Sequence, residues 1–463
     1  MRGRKAALLG GPFLALVAGA AALGAGWEFE AAGTAAVTTL CAVWWVGEAI
    51  PIPVTSLLPF ALFPLVGVLD HGEVATAYGH TLILLLMGGF LLSTAMEKSG
   101  AHRRLAFFML RLVGGGGPKR LVLGFMLATA FCSMWISNTA TVLMMLPVAL
   151  AVLERDPDGR LGLPLMLGIA YAASIGGLGT PVGTPPNVIF LGIYKEETGV
   201  ELGFLDWMKI GIPAVLVLLP LAFWWITRGL RGRGIARIPS LPAMRKAERR
   251  VLLVFALTAC AWIFRTAPAG GWSAWLGVRG AGDSTVALLA VCAMFLVPSG
   301  ERDGKALLDW ETASRIPWGL LLLFGGGIAI ARAFQASGLS ASLGELLAGA
   351  AGGPFFLTLL STCLFVTFLT EVTSNTATTT LLMPVLASAA LAAGLEPQLL
   401  MIPACLSASC AFMLPVATAP NAIVFGAGGV RVREMAGAGF SLNLMGALVL
   451  ALCCLALLPL GKS

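Results

Sequence analysis

The sequence predicts an all-α polytopic membrane protein, with about eleven transmembrane helices plus two re-entrant hairpins arranged as two inverted repeats. Three observations predict it. Of 463 residues, 58% are hydrophobic and only 11% charged, where a soluble domain carries about 25% charged residues. Apolar runs of roughly 18 residues recur from end to end, the signature of helical spans and not of ten-residue barrel strands. The pentapeptide SNTAT occurs twice, at 137–141 and 374–378, and a proline follows each in the same register, Pro147 and Pro384.

The chain begins with a charged start and an apolar run, "MRGRKAALLGGPFLALVAGAAALGAGW". This pattern fits a signal peptide or a first helix; the run is long enough to cross and more spans follow, which favours the helix. Crossings follow at about 7–25, 33–49, 54–70, 80–97, 163–193, 207–227, 251–264, 284–298, 317–335, 398–427 and 437–460. Segments 121–152 and 354–392 read as re-entrant hairpins. With the N-terminus inside, all but six of the 30 basic residues fall on the cytoplasmic side, the exceptions being Lys195, Lys209, Arg265, Arg279, Arg332 and Lys462. That bias sets the N-terminus cytoplasmic and the C-terminus periplasmic or extracellular. It also accounts for the net charge of +7 without any nucleic acid. The nine cysteines lie in apolar stretches with no CxxC spacing, and the three histidines are scattered, so neither a disulfide framework nor a His-based metal site is expected.

The polar link at 228–250, "RGLRGRGIARIPSLPAMRKAERR", divides the chain. Each half holds one SNTAT and then a second shared pattern, "GTPVGTPPNVIF" at 179–190 and "MLPVATAPNAIVF" at 413–425. Aligning Pro181 with Pro415 pairs Thr184 with Thr418 and Asn187 with Asn421. In the topology above the two hairpins enter from opposite sides, which makes the halves inverted repeats. Such repeats place a binding site near the midplane where they meet. The alternative is a duplication that left two packing motifs with no shared site, since small polar residues also hold helices together.

Ser, Asn and Thr cap helix N-termini. SNT midway along an apolar segment therefore predicts two half-helices that turn at the motif. Backbone of that kind survives at membrane depth only when buried in protein or lining a cavity. The returning half-helix aims its N-terminus, with free N–H donors and partial positive charge, at the tip, which suits an anion. "GTPPN" and "ATAPN" break two further helices, because proline lacks an N–H donor, and the freed carbonyls suit a small hard cation. No basic residue lies in the four motifs. Two like tips point to a ligand with two like ends, and a dicarboxylate fits.

At these residues the sequence resembles the divalent anion:sodium symporter (DASS) family, in its bacterial dicarboxylate branch. "GEAIPIPVTSLLP" (47–59), "SMWISNTAT", "GTPVGTPPN", "LLLFGGGIAIARAF" (321–334), "TEVTSNTAT" and "VATAPNAIVFG" match its pattern in order over nearly the whole chain. The resemblance implies a sodium-coupled symporter of C4-dicarboxylates such as succinate, malate and fumarate, working in the bacterial inner membrane as a homodimer. It implies an elevator mechanism, with a scaffold at 1–118 and 251–350, a transport domain at 119–230 and 351–463, and a cytoplasmic linker at 231–250. It carries one sodium site onto Ser133, Ser137, Asn138 and Gly183. The second falls on Thr370, Ser374, Asn375 and the Ala417 carbonyl. Substrate contacts carry over to Ser137, Asn138, Thr139, Ser374, Asn375, Thr376 and Thr418, with Thr184 the weaker candidate. The halves differ at Ala419, where the first half has Pro185.

Glu371, Glu48 and Arg332 are charged residues at depth. Each has a functional reading and a structural one, as a hydrogen-bonded group that steadies its surroundings. "GGGG" (114–117) and "FGGGIAI" (324–330) lack the Gly-Lys-Ser/Thr of a phosphate loop and read as a linker and a close helix contact. Rival functions are a sodium-independent di- or tricarboxylate exchanger and a sulfate or inorganic-anion symporter. An enzyme would need a nucleophile with a base, an acidic metal cluster or a His motif at depth, and none is found.

Overall fold

The computed structural model describes residues 2–113, 117–154, 160–230, 243–267, 270–301, 304–342 and 354–458. These residues fold into helices joined by short turns, with one isolated bridge, Pro298 to Ala306, among them. Seven helices are long and apolar enough to cross a membrane: Arg4–Gly24, Phe29–Gly47, His71–Ser99, Phe204–Thr227, Trp318–Ala336, Asn375–Ala392 and Val432–Leu457. The remaining expected crossings fall on shorter apolar helices such as Gly162–Gly177, Asp283–Leu296 and Gln398–Ala408. The sequence counts each apolar run as one crossing, whereas the chain breaks several runs. The run expected at 54–70 is divided at Ser56 and Leu57 into Ile52–Thr55 and Leu58–Val66.

Both expected hairpins are present. The first is Pro118–Ser133, a turn, and Asn138–Leu153; the second is Phe355–Thr370, a turn, and Asn375–Ala392. Two helix breaks follow in register, between Gly162–Gly177 and Pro185–Thr198, and between Gln398–Ala408 and Ala419–Gly426. The breaks interleave the halves. Helix Gly162–Gly177 packs on Ala419–Gly426, and Pro185–Thr198 packs on Gln398–Ala408.

Small residues permit this closeness. A Cβ on Gly176 would lie 2.3 Å from the Ala130 carbonyl oxygen, so the first hairpin rests backbone-to-backbone on the broken helix. The glycine run of Trp318–Ala336 is a close helix contact on three sides. Gly325 faces Tyr78, Gly326 the Ser56 carbonyl, and Gly327 the Thr380 methyl of the second hairpin.

Several helices were not anticipated, among them the short His71–Tyr78, Gly271–Trp275 and Trp310–Ala313 and one longer helix. Ala101–Val113 lies in a segment read as cytoplasmic loop. It buries Ala106, Phe107 and Leu110 and exposes Phe108 and Leu112. Arg104 on its polar side pairs with Glu248 at 2.9 Å. An amphipathic pattern of this kind suits a helix lying at the membrane interface.

Candidate binding site at the two hairpin tips

Each tip is a turn that starts a helix. Ser137 and Ser374 are the N-cap residues of the returning helices and Asn138 and Asn375 the first helical residues. Behind each asparagine sits a buried hydroxyl. Ser133 Oγ lies 2.6 Å from Asn138 Oδ1 and 2.7 Å from the Ala173 carbonyl. Thr370 Oγ1 lies 2.7 Å from Asn375 Oδ1 and 2.9 Å from the Ala408 carbonyl. In each trio one hydroxyl proton serves two acceptors, so oxygen lone pairs outnumber protons. A Cβ on Gly177 would meet both Asn138 Oδ1 and the Gly183 carbonyl, at 2.9 and 3.2 Å, which brings a fourth oxygen to the first tip. Oxygen-rich and proton-poor clusters suit a hard monovalent cation.

The asparagines of the broken helices hold the breaks open. Asn187 Nδ2 donates to the Gly177 and Thr180 carbonyls at 2.9 and 2.8 Å. Asn421 Nδ2 donates to the Ala411 and Leu414 carbonyls, both at 3.0 Å. The same two loop positions are tied in each half. Both asparagines are fully buried, so they shape the loops from behind and do not face a ligand.

Tips and breaks meet at one cavity of about 800 Å³, within the range of small-molecule sites. Ser137, Asn138, Thr139, Gly183, Thr184, Ser374, Asn375, Thr376, Ala417 and Thr418 all line it. Ser133 and Thr370 do not; they are buried behind the tips and act through the asparagine amides. Helices beginning at Asn138, Pro185, Asn375 and Ala419 all open onto this cavity, so four sets of N-terminal donors converge. Thr418 spends its hydroxyl oxygen on the Asn421 N–H at 3.2 Å, whereas Thr184 caps nothing. The order expected for these two, with Thr184 the weaker, has no basis in their side-chain geometry.

Three charged residues line the cavity away from the tips: Glu48, Glu97 and Arg315. Glu48 has φ 45°, the one non-glycine residue among those described in the left-handed region, where a Cβ is disfavoured. Arg315 is 70% exposed and pairs with Glu311 at 2.8 Å. Glu97 and Arg315 escaped the sequence reading because neither belongs to a repeated motif.

Glu371 is 3% exposed and accepts three hydrogen bonds: from the Met413 and Leu414 N–H groups at 2.8 and 2.9 Å, and from Asn443 Nδ2 at 2.7 Å. The structural reading of this residue holds. It fastens the second tip to the second break. Arg332 also has a full set of partners. It forms a two-point pair with Glu196 at 2.8 and 3.0 Å, and it donates to the Glu73 carbonyl at 3.1 Å and to the Thr76 hydroxyl. His80 Nε2 lies 3.3 Å from Glu196. Burial works against the Glu196 charge, but hydrogen bonds and charge from His80 and Arg332 hold its carboxyl down at about 2. Its neighbour Glu197 is pushed up to about 7 by burial, which its hydrogen bond from Gln335 only partly offsets.

Comparison with known proteins gives three findings. The family described as "Citrate transporter" (CitMHS) matches residues 42–402. A sodium-dependent dicarboxylate transporter, SdcS, of Staphylococcus saprophyticus is 41% identical over 92% of this chain and 85% of its own. The protein of that name in Staphylococcus aureus is 38% identical over the same shares. Among solved structures, the Alcanivorax borkumensis YdaH transporter superposes with a TM-score of 0.57, covering 84% of this chain and 88% of its own at 16% identity. Neisseria gonorrhoeae MtrF gives 0.56, covering 85% and 84% at 13% identity. At such identity these two speak for the fold alone.

Proposed function

The chain belongs to the citrate transporter family, and on that premise we propose that it is a secondary active transporter, not an enzyme, carrying C4-dicarboxylates with sodium across the bacterial inner membrane. The observation that carries this reading is the repeated tip. Two oxygen trios, Ser133–Asn138–Ala173 and Thr370–Asn375–Ala408, stand behind one cavity onto which four helix N-termini open. The relatives' name, sodium-dependent dicarboxylate transporter, supports both the cation and the substrate class.

Each carboxylate of the dianion meets one tip, held by Ser137, Asn138 and Thr139 on one side and by Ser374, Asn375 and Thr376 on the other, with Thr184 and Thr418 between. No lysine or arginine lies in the tips or breaks. The positive charge that balances the dianion comes from sodium ions behind the asparagines, with Ser133, Ser137, Asn138 and Gly183 at one site and Thr370, Ser374, Asn375 and the Ala417 carbonyl at the other. Sodium first fixes each asparagine amide, and the fixed amide then offers its N–H groups to the substrate. Coupling follows, because an empty cation site leaves a tip unable to bind the anion.

Apart from Glu371 at the second tip, the charged lining residues Glu48, Glu97 and Arg315 all lie at helix ends that the distribution of basic residues assigns to the cytoplasm. The cavity therefore faces inward. At the opposite ends of Thr81–Ser99 and Trp318–Ala336, His80 and Arg332 meet Glu196, at the far end of Pro185–Thr198, and close the outer side. Movement of a transport domain (119–230 and 351–463) against a scaffold (1–118 and 251–350) must separate that cluster. Assembly as a homodimer belongs to the same reading.

Uptake of labelled succinate into proteoliposomes, with an inward gradient of sodium or of potassium, is the test. Sodium should drive accumulation many-fold. Uptake that ignores sodium and needs internal dicarboxylate would replace this reading with the exchanger, and strong uptake of sulfate without succinate would replace it with the inorganic-anion symporter.

A further inference from the structure

A second cavity, of about 410 Å³, lies far in sequence from the hairpin tips, between three helices. Leu163, Pro164 and Leu167 form one wall from helix Gly162–Gly177. Trp225, Ile226 and Arg228 form the second from the end of helix Phe204–Thr227, and Arg433, Gly437 and Ala438 the third from the start of helix Val432–Leu457. The last two helices have 24 and 26 residues. At 1.5 Å per residue either is about 36 Å or more in length, against a hydrocarbon core of about 30 Å. Their ends must reach the headgroup layer.

The groove is apolar along its floor and cationic at its rim. The Arg228 guanidinium carbon stands 3.4 Å over the Trp225 ring, and Trp225 in turn donates its indole N–H to the Ala438 carbonyl at 3.0 Å. Arg228 is thus held in place by stacking, with its N–H groups unspent among the described residues. Arg433 is exposed as well. Neither arginine has a carboxylate partner among the described residues. The one acidic lining residue, Glu434, is taken by Arg431 at 2.5 Å. Two uncompensated guanidiniums over an apolar slot at headgroup depth match a phosphate with an acyl chain beneath it.

We propose that this groove binds one anionic glycerophospholipid, its phosphate between Arg228 and Arg433 and an acyl chain along Leu163, Leu167 and Ile226. The site joins a helix of the second half to two helices of the first, so the lipid acts as a bridge between the halves behind the tips. The inference rests on the membrane reading alone and is independent of which ion or acid is carried.

Native mass spectrometry of the purified protein, titrated with phosphatidylglycerol and separately with phosphatidylcholine, tests it. Wild type should retain one phosphatidylglycerol in preference to phosphatidylcholine. Arg228→Gln and Arg433→Gln should each weaken retention about fivefold, while Arg249→Gln, at an exposed arginine outside the groove, should leave it unchanged. Gly437→Leu provides a second route. An added Cβ there meets nothing within 4 Å, so the larger side chain can enter the groove, and it should weaken retention as well. Equal retention of the two lipids by wild type, or undiminished phosphatidylglycerol in the double arginine variant and in Gly437→Leu, overturns the proposal. Loss of retention in Arg249→Gln equal to that in the others would mean diffuse surface charge and would also overturn it.

Discussion

The two hairpin tips agree where oxygens gather and differ where the tip is fastened. At the gathering point the agreement is group for group: a hydroxyl, an asparagine amide and a helix carbonyl, at Ser133, Asn138 and Ala173 in one half and Thr370, Asn375 and Ala408 in the other, the carbonyl alone shifted by one residue. The fastening is unlike. In the first half the Thr180 hydroxyl donates to the Met134 carbonyl. In the second, the position after Thr370 carries Glu371, whose carboxylate accepts from Met413, Leu414 and Asn443. Duplicated positions to which the proposed function gives the ligand have stayed alike. Positions that only hold the tip have been free to find different solutions, provided that every buried polar group is satisfied.

The largest effect that sharpens this contrast is on stability. Glu371→Leu would strand two backbone N–H groups and the Asn443 amide, each unsatisfied group costing about 1–3 kcal/mol. The total loss should be about 3–9 kcal/mol. Thr180→Val removes one donor from one carbonyl and should cost about 1–2 kcal/mol. Thermal unfolding in detergent compares them. Equal losses would mean that the fastenings are equivalent after all.

The next test concerns the positions that agree. Asn138→Ala and Asn375→Ala each remove an amide that, in the proposed function, serves both cation and substrate. A hydrogen bond to a charged group contributes about 1.5–3 kcal/mol, so each variant should lose about tenfold to a hundredfold in succinate affinity, by similar factors. Isothermal titration at fixed sodium measures this. Full affinity in one variant, with normal folding, would leave a single working tip and break the two-ended reading.

A smaller difference separates the cap serines. Ser137 accepts from the Ala140 N–H at 3.2 Å, whereas Ser374 caps nothing. Ser137→Ala should therefore cost about 0.5–2 kcal/mol of stability and Ser374→Ala little, although both should weaken binding.

Much of this was legible in the sequence, for a physical reason. SNTAT and the proline breaks are local chemistry, since capping residues and missing N–H donors declare themselves without knowledge of packing. The two hairpins, both breaks and the gathering of ten candidate residues at one cavity follow from them, and the relatives bear out the resemblance to sodium-coupled dicarboxylate transporters. What stayed hidden depends on contacts across the chain. Asn443 shows its role only once helix Val432–Leu457 is set beside Glu371. Thr180 shows its role only once the break folds back onto Met134. Helix Ala101–Val113 was hidden by its charge, which reads as loop unless its apolar face has a surface to rest on.

The halves also differ at the far ends of their broken helices. Ala419–Gly426 ends after 8 residues. Pro185–Thr198 continues for 14 and is held there by Arg332, with His80 and Gln335 on its acidic pair. This difference predicts a small pH effect confined to the first half. Glu197 holds its proton up to about 7 because it is buried, while an exposed glutamate releases it near about 4.3. Below that ordinary range both the folded and the opened states are protonated and the contribution to stability is whole. Between about 4.5 and about 7 the opened state gives up its proton first, so the folded state binds more protons and stability falls as pH rises. Glu196 lies at about 2 and adds no slope in this window. His80 touches Glu196, so Glu197 is best read in a background that lacks that contact. Glu197→Gln in a His80→Gln background should flatten the melting temperature between pH 5 and 8, as set by the window above, and raise it most at the alkaline end. If the slope survives in that double variant, its source lies elsewhere and the anchored end of the first broken helix is not what responds to protons.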